Sequence, residues 1–158
     1  MAFMETCGAK AGFNPVVIQR FSHVTLYVLD QDAALEFYTA KLGFVTRIDF
    51  RIDNGFRWLT VSPQDQEGAQ IVLQQLGGPF VDPETTAAIG HLLKEGKLGT
   101  ALVFQTEDCR GTCAALASKG VMIVSAPTEH FHGVEAIIAD DSGNRFVIHQ
   151  PKGIDNPR

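Results

Sequence analysis

The sequence predicts an α+β fold made of two βαβββ modules, and three observations carry that expectation. The 158 residues, 45% of them apolar and 20% charged, suit one compact domain or two small modules sharing a core. A shift of the chain by 77 residues lays HVTLYVLDQDAALEFYTAKLGF (His23–Phe44) without a gap over TALVFQTEDCRGTCAALASKGV (Thr100–Val121), as for two copies of one supersecondary unit. Within each copy the apolar period changes from two to that of a helix and back to two.

Residues 1–19, beginning MAFMETCGAKAGFNP, read as an N-terminal arm, without the basic opening and continuous apolar run of an export signal. Module 1 covers 20–76. HVTLYVLD alternates polar and apolar residues rich in Thr, Tyr and Val, the pattern of a half-buried strand. Asp30 is placed to cap the helix that follows. Leu35, Tyr38 and Leu42 fall three and four apart, and Gly43 sits where a left-handed C-cap belongs. FVTRIDFRI, RWLTVS and AQIVLQQ are then short strands. Residues 77–98 form a linker in which Asp82 and Pro83 start a helix over 83–95, stopped by Gly96; His91 on it reads as surface. Module 2 covers 99–151, with DDSGN (Asp140–Asn144) as the tight turn before the last strand. Residues 152–158 are a C-terminal tail.

Successive strand side chains alternate faces. Val24, Leu26, Val28, Leu59, Val61, Ile71 and Leu73 would pack under the helix. His23, Thr25, Tyr27, Trp58, Thr60, Gln70, Val72 and Gln74 would face away. Carried across by 77, this second face gains Thr100, Leu102, Phe104, Glu135, Ile137, Val147 and His149. Aromatic walls with a few polar groups suit a small-molecule pocket, and a sheet curved around them would form a cup. An interface between sheets or subunits is the other reading of the same face.

Composition excludes several classes. The net charge is −5 with no Lys/Arg block, which disfavours a nucleic-acid partner. No apolar run approaches the roughly 20 residues of a membrane span. Cys7, Cys109 and Cys113 have no framework spacing, so reduced thiols in a cytoplasmic protein are expected. Two thiols alone do not make a zinc site.

The doubled unit, with HVTLYVLDQDAALEFYTAKLGF, WLTV and DDSGNRFVI, resembles the vicinal oxygen chelate superfamily over about residues 20–151. That group includes glyoxalase I, bleomycin-resistance proteins, fosfomycin-resistance enzymes, methylmalonyl-CoA epimerase and extradiol dioxygenases. The resemblance implies a U-shaped half-barrel cup, commonly in a homodimer, sometimes with modules exchanged between chains. Metal-using members place ligands at the start of the first strand and in the last strand of each module. Here those points fall on His23, Gln70, Thr100 and Val147, with Gln70 and Val147 as equivalent positions of the two copies. Two of the four are poor or impossible ligands, whereas a catalytic divalent site needs about three and an open position. Glyoxalase I and dioxygenase activities are therefore disfavoured, and no cofactor is expected. A divalent ion would need a different set drawn from His23, Gln70, Glu135 and His149.

Three functional readings follow. The first is a metal-free binder holding a small organic molecule against Tyr27, Trp58 and Phe104, with Thr60, Gln70, Gln74 and Thr100 as polar contacts. The second is a lyase- or isomerase-type enzyme using His23, Glu135 or His149 as acid or base, since imidazole exchanges protons near neutral pH. The third is a partner-binding dimer with a vestigial cup. For each histidine singly, a satisfied structural role competes with catalysis. His130 and His132, at the rim of the cup, contact a ligand or lie in a solvated loop. His23 is expected to line the cup as a partial ligand position without a metal.

Overall fold

The structure, a computed structural model, describes residues 18, 20–79 and 81–153. The arm apart from Ile18, Cys7 included, and the end of the tail lie outside the described residues. Two four-stranded mixed sheets form. Module 1 comprises β1 (His23–Val28), α1 (Gln31–Glu36, continued by a π-helical turn, Phe37–Lys41), β2 (Val45–Arg51), β3 (Arg57–Ser62) and β4 (Gln70–Gln75). After the linker helix α2 (Pro83–Lys94), module 2 comprises β5 (Thr100–Gln105), α3 (Cys109–Ser118), β6 (Met122–His130), β7 (Gly133–Ala139) and β8 (Arg145–Pro151). The sheet orders are β1-β4-β3-β2 and β5-β8-β7-β6, so both copies have one topology. In each, the first strand lies parallel to the fourth.

Among the described residues, each of the three α-helices starts on an aspartate. Asp30, Asp82 and Asp108 accept from the amides of Ala33, Thr85 and Gly111 at 2.7, 2.9 and 2.9 Å, satisfying one orphan donor each. The second module is thus capped by Asp108, not by Glu107 as the 77-residue shift implied. The two N-caps are 78 apart (108 − 30), while Gly43 and Gly120 are 77 apart (120 − 43). The π-turn accounts for the extra residue, because a π-bulge is a one-residue insertion into a helix. It also brings the consecutive side chains of Phe37 and Tyr38 into the core, where the helical spacing placed only Tyr38.

A second slip follows from loop length. Residues 63–69 join β3 to β4, and only 140–144 join β7 to β8. Thr25 pairs with Val72, and Val103 with Val147. Val147 is therefore the counterpart of Val72, and Gln70 corresponds to Arg145. The expected equivalence of Gln70 and Val147 fails, although the doubled architecture holds.

One core serves both modules. Leu26, Val28, Leu59, Val61 and Leu73 merge with Cys109, Ala136, Ile138, Phe146 and Ile148. Tyr38 meets Phe146 at 6.1 Å, edge-on, and Phe104 meets Phe44 and Phe146 at 5.3 Å each. The DDSGN turn locks the halves together. Asp140 Oδ1 accepts from the amides of Ser142, Gly143 and Asn144, while its Oδ2 accepts from Tyr38 Oη at 2.9 Å. Asn144 Nδ2 donates to the Tyr27 carbonyl, and the Leu29 amide donates to Ser142 Oγ. Burial, reinforced by the Asp140 charge, pushes the Tyr38 phenol above its ordinary value, so it stays a neutral donor.

Candidate functional site

The face of module 1 turned away from the helices carries most of the expected ligand-binding residues. Leu26 and Val28 are buried in the core, which sends His23, Thr25 and Tyr27 to the opposite side of β1. His23 lies edge-on to Trp58 with ring centroids 5.7 Å apart, and Trp58 continues to Phe56 at 6.4 Å. Thr60 is fully buried and donates to Gln70 Oε1 at 2.7 Å. A cavity of about 280 Å³ opens over this face, lined by Thr25, Tyr27, Phe56, Trp58, Gln74 and residues Gly77 and Val81 of the linker. Phe56, at the end of the β2–β3 connection, is a wall residue that the reading of the strands missed.

Phe104 corrects an expectation. It was placed on the cup face by the 77-residue shift, but the extra residue in α1 makes it the counterpart of Leu26, on the helix side. There it packs in the aromatic core and cannot stack on a ligand in the cup. Leu102 moves to the helix side with it. The outward residues of β5 are instead Val103, 63% exposed, and Gln105. Thr100 is exposed and pairs with Arg145 as His23 pairs with Gln70, so it stays the pairing counterpart of His23, and Ala101 is the extra residue of the bulge that follows.

The first- and last-strand positions that hold metal ligands in metal-using relatives do not suit a metal here. His23 offers an imidazole, and Gln70 spends its side-chain oxygen on Thr60. The remaining positions hold Thr100, whose neutral hydroxyl is a poor ligand, and the cationic guanidinium of Arg145.

Module 2 gathers a different set. Glu135 on β7 stands directly opposite His149 on β8. His132, from the turn before β7, places Nε2 3.1 Å from Glu135 Oε1. The His132 and His149 rings are 5.6 Å apart, and His130 stacks on His132 at 5.4 Å with only 11° between planes. His132 and Glu135 are joined by a hydrogen bond, and the His149 ring stands beside them. His132 was given no firm role by the sequence; its spacing of three from Glu135, and the turn that folds β8 back onto β7, were the signals available. Among the described residues, no hydrogen bond or ring contact joins His23 or Trp58 to Glu135 or His149. The expected catalytic trio divides between the two sheets, His23 in one and Glu135 and His149 in the other. His91 is a surface residue, its side chain 70% exposed and 3.4 Å from Glu135's distant namesake Glu95. Cys109 and Cys113 are buried free thiols, and burial pushes Cys113 up to about 11, which suits packing rather than nucleophilic attack.

Comparison with known proteins adds the family context. A family model described as the Glyoxalase/Bleomycin resistance protein/Dioxygenase superfamily matches residues 20–148. The uncharacterized protein YurT of Bacillus subtilis (strain 168) is 35% identical over 127 residues, which is 80% of this chain and 94% of YurT. The crystal structure of UcmS2 shares 43% identity with a TM-score of 0.79, covering 84% of this chain and 98% of its own. TnmS3, an antibiotic binding protein from Streptomyces sp. CB03234, shares 28% identity with a TM-score of 0.68, covering 87% of this chain and all of its own.

Proposed function

We propose, from the premise that this chain belongs to the Glyoxalase/Bleomycin resistance protein/Dioxygenase superfamily, that it binds a small organic molecule with a flat conjugated part. The observation that carries this reading is the cavity over Trp58, Tyr27 and Phe56, with Gln74 and Thr25 as polar groups at its wall. Rings of this kind stack on a planar ligand with roughly 0.5–1.5 kcal/mol per pair beyond the area buried. Similarity to an antibiotic binding protein supports a small-molecule ligand. Binding of this sort requires no metal at the first- and last-strand positions, whose residues do not suit one.

A second copy of the chain completes the cup in this reading. β1 and β5 are both edge strands, and the outward face of β5 leaves Val103 exposed. An unpaired edge beside exposed apolar side chains is a surface that proteins ordinarily cover.

Trp58 is the only tryptophan in the chain, so its fluorescence reports on the cavity directly. Titration with a panel of polycyclic aromatic antibiotics is expected to quench it and to raise the melting temperature. A ligand at 100 times its dissociation constant stabilises by about 2.7 kcal/mol. Trp58→Ala should weaken binding of the responding compound about tenfold, the equivalent of one stacking pair. A panel that leaves both fluorescence and melting unchanged would count against the reading. Chemical conversion of the bound compound, lost in Glu135→Ala or His149→Ala, would move the chain to the acid/base enzyme class.

A further inference from the structure

The cluster on module 2 has a composition that neither stacking nor strand pairing requires. His132, Glu135 and His149 each present a ligating atom, and these atoms all lie within 4.8 Å of one another. Glu135 and His149 form a cross-strand pair, so their side chains leave the sheet on one side. The chain reverses between β6 and β7, which returns His132 to the same spot. All three are half-buried, sheltered from bulk water yet reachable by an ion.

Gly133 keeps this space open. Its φ of +149° is one that other residues rarely adopt. A β-carbon there would collide with the Gln150 carbonyl oxygen and stand 2.9 Å from His149 Nε2. A side chain at this position would therefore fill the space beside the imidazole.

Two imidazoles and one carboxylate form a donor set suited to zinc and to ferrous iron, with coordination positions left over. Calcium and magnesium favour oxygen-only sets. Zinc–nitrogen and zinc–oxygen bonds of about 2.0–2.2 Å set neighbouring tetrahedral ligands roughly 3.4 Å apart. The His132–Glu135 edge, at 3.1 Å, is already close to that. Modest torsion of the remaining ring closes the third side. The 3.4 Å approach of His149 Nε2 to the His132 carbonyl is too long to tie the ring down.

We propose that His132, Glu135 and His149 bind one divalent transition-metal cation of the zinc class, with an open position on the cup side of module 2. All ligands come from one module, so the site needs no second subunit. It is distinct from the positions at His23 and Gln70 and independent of whether an organic ligand binds over Trp58. A bound ion there would offer its open position to an oxygen donor.

The test uses the full-length chain, stripped with chelator and titrated with Zn²⁺ by calorimetry. One ion per chain is expected. His132→Ala and Glu135→Gln should each weaken binding more than about tenfold, at least the loss typical of an outer-shell partner. His23→Ala, His130→Ala and Cys7→Ser should leave it unchanged. Circular dichroism checks the fold of each variant, and His132→Ala alters only a turn residue. Co²⁺ supplies a second readout, since the visible absorption of low-coordinate cobalt should appear in the wild type and vanish in Glu135→Gln. Absence of Zn²⁺ binding, unchanged affinity in both ligand variants, or loss in Cys7→Ser would overturn the proposal.

Discussion

Arg57 concentrates the electrostatics of module 1. Its guanidinium, 5% exposed, binds Asp49 through two parallel contacts of 2.7 and 2.8 Å and Asp32 at 2.6 Å. The hydrogen bonds from Arg57 hold the Asp49 carboxyl below its ordinary value, and the pair raises the arginine in turn. Arg57→Ala removes a forked donor that lysine cannot replace. A fully buried pair broken on one side costs about 3–5 kcal/mol. Asp49 is 36% and Asp32 77% exposed, so solvent screening lowers the expected loss to about 1–3 kcal/mol at neutral pH. Because the folded carboxyl titrates below the unfolded one, its contribution is present above about pH 3.9 and disappears as pH falls through the depressed value. Urea titrations of wild type and Arg57→Ala should therefore converge on acidification. A gap that stays constant to low pH would show that the arginine acts through packing alone.

At the scale of elements, the β7–β8 turn does more than reverse the chain. Asp140 holds three turn amides and the Tyr38 hydroxyl, so one carboxylate sets the local geometry and joins the modules. Gly143 has φ +104°, and a β-carbon there would collide with the Leu93 carbonyl at the end of α2. Gly143→Ala should cost about 2–4 kcal/mol, combining left-handed strain with displacement of packed backbone. Gly99 has φ +79° with nothing near its missing β-carbon, so Gly99→Ala should cost only about 1–2 kcal/mol. Equal shifts of the urea midpoint for the two variants would contradict this account. The turn was legible as a turn from Asp, Ser, Gly and Asn in succession. Its contacts with Tyr38 and α2 were not, since they span up to 102 residues of chain.

For the whole molecule, the deciding quantity is what covers the outer strands. Val103 at 63%, Phe50 at 59% and Ile48 at 40% exposure are expected to pack against a second copy. Light scattering should then give twice 17.2 kDa at micromolar concentration. Val103→Lys, which places a charge on the outward face of β5, should shift the population toward monomer. A wild-type mass of 17.2 kDa throughout the concentration range would exclude the dimer and with it a cup completed by a second copy.

The sequence by itself determined the two modules, their element order and the helix start at Asp30. These follow from local signals: the change of period, capping side chains and turn residues all act within a few residues. It also placed His23, Tyr27, Trp58, Thr60, Gln70 and Gln74 on one face, because alternation along a single strand needs no long-range information. Only the tertiary structure decided the register between the copies. One residue inserted as a π-turn in α1 and two fewer residues before β8 moved Phe104 into the core and matched Gln70 with Arg145. A strand shifted by one residue exchanges its faces, so a small difference in loop or helix length reassigns a whole row of side chains. The meeting of His132, Glu135 and His149 belongs to the same level, since it depends on which residues β7 and β8 set opposite each other.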